Sequence, residues 1–479
     1  MPDLPRYRQI ADHFIQAIQS GTLPVHHRLP SVRSLAQQHG ISVTTAMKVL
    51  RTLEDEHFAL VRPKSGFFVA APGRNTITCA PQPVALPVLD EQTELHLSLV
   101  GTECRVRLDL ANGDNALYPL EKMGRLIRQA SYTNPMMLGN DVKGSGYQPL
   151  KEEIARRALD YGCHLHPDDI LITNGCIEAL SLSLRAVTRS GDAVAVQSPC
   201  YFVLLQMLRN LELRVVEIGQ DASGHVDVAQ LESLFSQRQV SAFISLTNIN
   251  NPLGTSLPDS YKRRIAEAAD RHDIALIEDD TFADTAFGEQ RPFPLRAFSP
   301  NVLLCNGFSK TVGPGIRIGW VSSARWRRKL AALKFTSTMG TSLTPQVALA
   351  ELLRNGGYDA HLRKLRRELA AQVGRLRRAV QHYFPVGTQI SQPQGGYAIW
   401  VTLPPGCCSS RELFSRARQE GIGIAPGHIF ATDQRYDNCL RLNAGFGWNE
   451  EVHEAIQLLA RWVQEPPPCH HEDHEGITK

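Results

Sequence analysis

The sequence predicts a multidomain protein. A winged helix-turn-helix comes first, then a large α/β module with a mostly parallel sheet and a small C-terminal α/β part. Three observations predict this. The chain has 479 residues, two to four domains at about 100–200 residues each. Its first seventy residues hold eight Lys/Arg and five Asp/Glu, against 43 and 43 in the rest, so the whole formal excess of +3 sits there. Beyond them, strand-like apolar runs alternate with helical ones, the pattern of a parallel sheet.

Composition narrows the classes. With 43% apolar and 21% charged residues the chain is globular. No apolar run approaches the ~20 residues of a membrane span, and the N-terminus MPDLPRYRQIADHF lacks a signal-peptide core. The expectation is a cytoplasmic protein with no membrane partner. Ten scattered cysteines without a C-x-x-C pair read as reduced thiols. Cys469, His470, His471 and His474 follow three prolines in the tail, residues 466–479. That stretch reads as disordered, and no metal is expected. Residues 71–94, with Pro72, Pro81, Pro83 and Pro87, read as an extended linker. The domains expected are therefore 1–70, linker 71–94, 95–465, and the tail.

In the basic module, Tyr7, Ile10, Phe14 and Ile18 mark one helical face ending near Gly21. Ser31 to His39 is a second short helix, stopped at Gly40. Ser42 caps a third, whose apolar face is Ala46, Val49, Leu50 and Leu53. Leu60-Val61-Arg62, the turn Pro63-Lys64-Ser65-Gly66 and Phe67-Phe68-Val69 make a hairpin, the wing. In this arrangement the third helix enters the major groove of DNA. Ser42, Thr44, Thr45 and Lys48 face away from its apolar side, and short hydroxyls and a cation suit phosphates and base edges. Arg33 and Lys64 are further phosphate candidates.

The run RLPSVRSLAQQHGISVTTAMKVLRTLEDEHFALVRPKSGFFV resembles the GntR-type winged helix-turn-helix over residues 5–70. The resemblance implies DNA contacts from Arg33, Thr44, Thr45 and the wing around Gly66. Met47 stands where many GntR proteins carry arginine.

In the large module the runs DILIT, DAVAVQ, RVVEIG, SAFISL, IALIED and NVLLCN read as strands. Ligands of such sheets bind beyond the carboxyl ends of the strands. After DILIT come Asn174-Gly175-Cys176-Ile177, a turn into a helix whose backbone amides suit a phosphate. After DAVAVQ comes Tyr201, after SAFISL Asn251, after IALIE Asp279 and Asp280, and after NVLLCN Ser309 and Lys310, with Arg317 seven residues on. Together these fit pyridoxal phosphate. Lys310 supplies the amine that condenses with its aldehyde. Asp279 keeps the pyridine nitrogen protonated. Arg317 forks onto the phosphate, Tyr201 stacks on the ring, and Asn251 donates to the ring hydroxyl.

NNPLG, IEDD and FSKTVGPGIRIGW resemble the fold-type I aminotransferases over residues 105–465. RLNAG at 441–445 looks like the late arginine motif, which implies that Arg441 grips a substrate carboxylate. Gly146 with Leu150-Lys151 looks like an early glycine element. Three positions depart from the pattern: Phe282 replaces a tyrosine that bonds the ring hydroxyl, Gly307 a Ser or Thr on the phosphate, and Asp141 a tyrosine reaching the partner's phosphate.

A winged helix before an aminotransferase-like module resembles the MocR subfamily of GntR regulators. This implies a transcriptional regulator that uses pyridoxal phosphate as effector or as sensor of a small amino compound, acts as a head-to-tail homodimer, and binds a double-stranded DNA operator. The alternative is an active aminotransferase that keeps an N-terminal DNA-binding module.

Overall fold

The computed structural model describes residues 5–19, 22–24, 26–56, 58–62, 65–70, 84–85, 104–139 and 144–465. The chain divides into two compact units, residues 1–80 and 81–479.

The first unit has helices α1 (Arg6–Gln19), α2 (Val32–His39) and α3 (Val43–Asp55) and a hairpin of β1 (Ala59–Arg62) and β2 (Gly66–Val69). Ser31 caps α2, its Oγ accepting from the Ser34 amide at 3.2 Å, and Gly40 ends the helix in the left-handed region at φ 60°. Ile10, Phe14, Leu35, Ala46, Val49, Leu50 and Leu53 form the shared core. Each buried Leu or Val contributes about 1.5–3 kcal/mol. The sequence reading missed the third rung of the wing. Residues 26–29 run beside β2, with the Leu29 amide donating to the Phe67 carbonyl at 2.9 Å and an Arg28–Phe68 bridge.

The second unit holds an eight-stranded sheet in the order β3-β7-β6-β8-β9-β10-β11-β5. The strands are β3 (Val84–Ala85), β5 (Ile170–Thr173), β6 (Ala193–Gln197), β7 (Arg214–Ile218), β8 (Ala242–Ser245), β9 (Ala275–Asp279), β10 (Leu303–Gly307) and β11 (Gly319–Ser322). All six expected runs are strands. From β7 to β10 neighbours pair in parallel, while β11 runs antiparallel to both β10 and β5. Side chains of β5, β6 and β8 are buried along their whole length, as in a sheet covered on both faces.

A second sheet, β12 (Gln389–Ile390), β13 (Ala398–Thr402), β15 (Cys439–Asn443), β14 (Ile422–Pro426) and β4 (Val106–Leu108), makes the small part. Two expectations change here. The small part is not purely C-terminal, because β4 pairs in parallel with β14. Nor is the stretch 71–94 linker throughout, because Val84–Ala85 pair with Val215 and Arg214 at the edge of the large sheet. The rest of that stretch, the tail and Asp141 lie outside the described residues. The helix Gly357–Tyr383 ties the parts together. Its Leu362, Leu365 and Leu369 enter the core under the large sheet, and its Val373, Leu376 and Val380 enter the core of the small one.

Candidate functional site

Two sites were read from the sequence, one in each unit. In the first, the α3 cap is built as expected. Ser42 Oγ accepts from the Thr45 amide at 3.1 Å and lies 2.7 Å and 2.8 Å from the hydroxyls of Thr44 and Thr45. Ser42 is thus committed to the cap, and the exposed Thr44 and Lys48 carry the polar outer face. Lys48 Nζ sits 4.0 Å from the Tyr7 ring centroid. Arg33 is exposed on α2, and Gly66 opens β2 at φ 102°, where L side chains are strained. Lys64 lies outside the described residues. The reading overlooked Arg28 and Arg62, exposed cations on the wing. Arg28 lies against Gly66, and Arg62 stacks 4.7 Å from the Phe68 centroid.

In the second unit the expected residues converge beyond the carboxyl ends of β5, β8, β9 and β10. Gly175 begins the helix Cys176–Val187 at φ 84° with no side-chain cap, leaving its first amides for an anion. Exposed Ile177 and buried Cys176 form the first residues of that helix. Arg317, exposed and in the left-handed region at φ 54°, donates from Nη2 to the Asn174 carbonyl at 2.9 Å. A Cβ on Gly175 would stand 2.7 Å from that nitrogen, so glycine lets the guanidinium lie against the turn. Ser309 is half-buried beside Lys310.

Asp279 is buried at the end of β9. Thr281 holds its Oδ1 with both amide (3.0 Å) and hydroxyl (2.5 Å), and the Cys176 thiol points to the same oxygen at 3.6 Å. Burial raises the pKa of Asp279, opposed by Thr281 and by the charge of Lys310. Cys176 therefore links the anion turn to the buried acid. Lys310 Nζ donates to the Ala111 carbonyl at 2.8 Å and to Asn112 Oδ1 at 2.5 Å. Burial, then the charge of Arg441, lowers its pKa to about 8. Phe282 is buried, with its ring centroid 5.1 Å from Nζ, and it offers no hydroxyl. Gly307 faces the helix start: a Cβ there would lie 3.4 Å from the Cys176 amide nitrogen. The side chain that would bond a phosphate is missing where space is tight.

Arg441, on β15, is 1% exposed. Nη1 donates to Asn251 Oδ1 at 2.9 Å and Nη2 to the Asp109 carbonyl, while buried Nε has no partner. Burial lowers its pKa to about 10. Phe430 and Phe202 stack on it at 5.2 Å and 5.8 Å. Tyr201 is half-buried at the start of the helix Phe202–Asn210, edge-on to Phe202, and burial pushes its hydroxyl up to about 12.

The reading missed Asn112, Thr281 and Tyr397, whose hydroxyl donates to the Lys310 carbonyl. The dipeptide Asn112-Gly113 was the available signal. Gly113 has no room for a Cβ, which would meet Leu117 at 2.6 Å and Tyr397 at 3.0 Å.

Comparison with known proteins follows the same division. Residues 6–69 match the family described as bacterial regulatory proteins, gntR family, and residues 106–459 match aminotransferase class I and II. The HTH-type transcriptional regulator YdcR of Escherichia coli is 34% identical, over 96% of this chain and 100% of its own. YjiR of the same organism is 33% identical, over 96% and 99%. Among solved structures, Pyrococcus horikoshii kynurenine aminotransferase, in complex with PMP, aligns with a TM-score of 0.71 and 26% identity, covering 78% of this chain and 94% of that one. The multiple substrate aminotransferase of Thermococcus profundus shares the fold with a TM-score of 0.71 at 23% identity, covering 78% and 95%. No helix among the described residues is long and apolar enough to cross a membrane. The chain belongs to the MocR type of GntR transcriptional regulators, a gntR module joined to a class I and II aminotransferase module.

Proposed function

We propose that this regulator holds pyridoxal phosphate in its large module and changes its grip on DNA when an amino acid or related amine enters that site. The observation that carries the reading is the pairing of Lys310 and Arg441. Both are cations with lowered pKa, and Arg441 keeps a buried Nε without a partner. A buried cation is costly unless an anion joins it. The missing partner fits a carboxylate, which arginine takes in a two-point grip.

The residues fit the cofactor. The uncapped amides after Gly175, with Ser309 and Arg317, hold its phosphate. Asp279 holds the proton at the ring nitrogen, Asn251 donates to the ring hydroxyl through the amide it does not use on Arg441, and Tyr201 covers one face. Bound there, pyridoxal phosphate supplies an aldehyde for amine capture and a ring that withdraws electrons. Lys310 provides the amine that anchors it, and its lowered pKa makes that amine available near neutral pH. With its amine neutral, Lys310 would be placed to take a proton from the ligand.

The acting species is a cytoplasmic homodimer on an operator. Supporting the dimer, Tyr132, Met136 and Leu138 are 89%, 71% and 68% exposed on one stretch of the large module, apolar exposure of the kind that marks an interface. Absorption spectroscopy of the purified protein titrated with pyridoxal phosphate and then with amino acids tests the reading. A lysine-linked cofactor band that shifts with one class of amine supports it, and no band at any cofactor concentration overturns it.

A further inference from the structure

The outer face of α3 is unusual for a helix that touches only water. Val43 and Met47, one turn apart, are 57% and 38% exposed. Exposed helical faces are normally polar, and valine is a weak helix former. Neither side chain has a function in the core of the unit, which is filled from positions 46, 49, 50 and 53.

Around this apolar pair the chemistry suits a polyanion. Arg33, Lys48 and Arg51 are exposed on α2 and α3, and Arg28 and Arg62 on the wing. The hydroxyls of Ser42, Thr44 and Thr45 bond to one another at the cap. The exposed side chains of the helix start with no such local partner are Val43 and Met47, and both are apolar.

An apolar side chain in the major groove can distinguish one feature of a base pair, the 5-methyl group of thymine. We propose that Val43 and Met47 are specificity-determining residues that read thymine methyl groups, so that each half-site carries two such thymines. Residues one helical turn apart are about 5–6 Å from each other, and base pairs rise about 3.4 Å. The two thymines therefore lie within two base-pair steps. The inference rests on the DNA-binding reading of the first unit.

The test uses the full-length protein and a random duplex library. The enriched site is then remade with deoxyuridine, which lacks only the methyl, at each thymine in turn, at one fixed salt concentration. Loss of one buried methyl weakens binding about fourfold. The expected result is that weakening at two neighbouring thymines per half-site, with Val43→Ala removing the dependence on one and Met47→Ala on the other. Both residues are exposed, so alanine leaves the core intact. Uracil accepted at every position, or a methyl dependence unchanged in both variants, overturns the inference while leaving DNA binding in place. A library with no enriched sequence overturns the DNA-binding reading itself.

Discussion

Arg441 and Asn251 are bonded to each other, Nη1 to Oδ1 at 2.9 Å. One was read as the grip for a ligand carboxylate and the other as a donor to the cofactor ring. Under the proposed function, this contact joins the carboxylate grip to the ring-hydroxyl donor, so a ligand held by Arg441 would also bear on Asn251. Ligand control of a regulator rests on differential affinity for its states, and a polar contact between the two proposed subsites is one place where such a difference can arise.

Capture of pyridoxal phosphate has a defined pH dependence. An ordinary lysine becomes neutral near pH 10.4, whereas burial and Arg441 bring Lys310 down to about 8. The neutral amine dominates above that value. The rate of cofactor uptake by apoprotein rises up to about pH 8 and then levels, and Lys310→Ala shows no lysine-linked band at any pH. Stopped-flow absorbance checks both; a rate still climbing at pH 9.5 contradicts the assignment.

Arg441→Ala separates the two subsites. Charge-assisted hydrogen bonds contribute about 1.5–3 kcal/mol, so affinity for amino acids falls roughly 10- to 100-fold. Amines without a carboxylate make no such bond, so their affinity falls much less. Spectral titration with matched pairs, an amino acid and its decarboxylated amine, measures the difference.

Gly175→Ala tests the anion turn. At φ 84° and ψ 170° the residue occupies backbone space costing other residues about 1–3 kcal/mol, and the new Cβ meets Arg317. Cofactor affinity falls at least tenfold and the large module loses stability in that range. Equilibrium denaturation and cofactor titration read the two effects separately.

Ser42→Ala removes the cap of α3. The expected cost is about 1 kcal/mol of stability in the DNA-binding unit, with weaker DNA binding and an unchanged cofactor spectrum. Denaturant unfolding with and without DNA checks this.

Much of this architecture was legible in the sequence. Six buried strands announced themselves as short apolar runs, and the caps Ser31, Gly40 and Ser42 marked the helix ends. Strand β11 was harder to read because its residues overlap the FSKTVGPGIRIGW motif. β4 was missed because three residues pair with β14 over three hundred positions later, a partner no local pattern reveals. Lys310, Asp279 and Arg441 stood at strand ends or in motifs, and the structure brings their charges to bear on one another. Asn112 and Thr281 act through a carboxamide on a loop and a hydroxyl beside a buried acid, and their types are common everywhere. Ser42 was read as cap and contact together, and the hydrogen-bond geometry shows the cap.

The most direct test is a titration of full-length protein against its own upstream DNA, at one salt concentration. It is run without cofactor, with pyridoxal phosphate, and with cofactor plus a panel of amino acids, for wild type and Lys310→Ala. The account predicts that the wild-type affinity or footprint changes with cofactor or with one class of amine, and that Lys310→Ala binds DNA without responding. Identical binding by the wild type under all three conditions would contradict it.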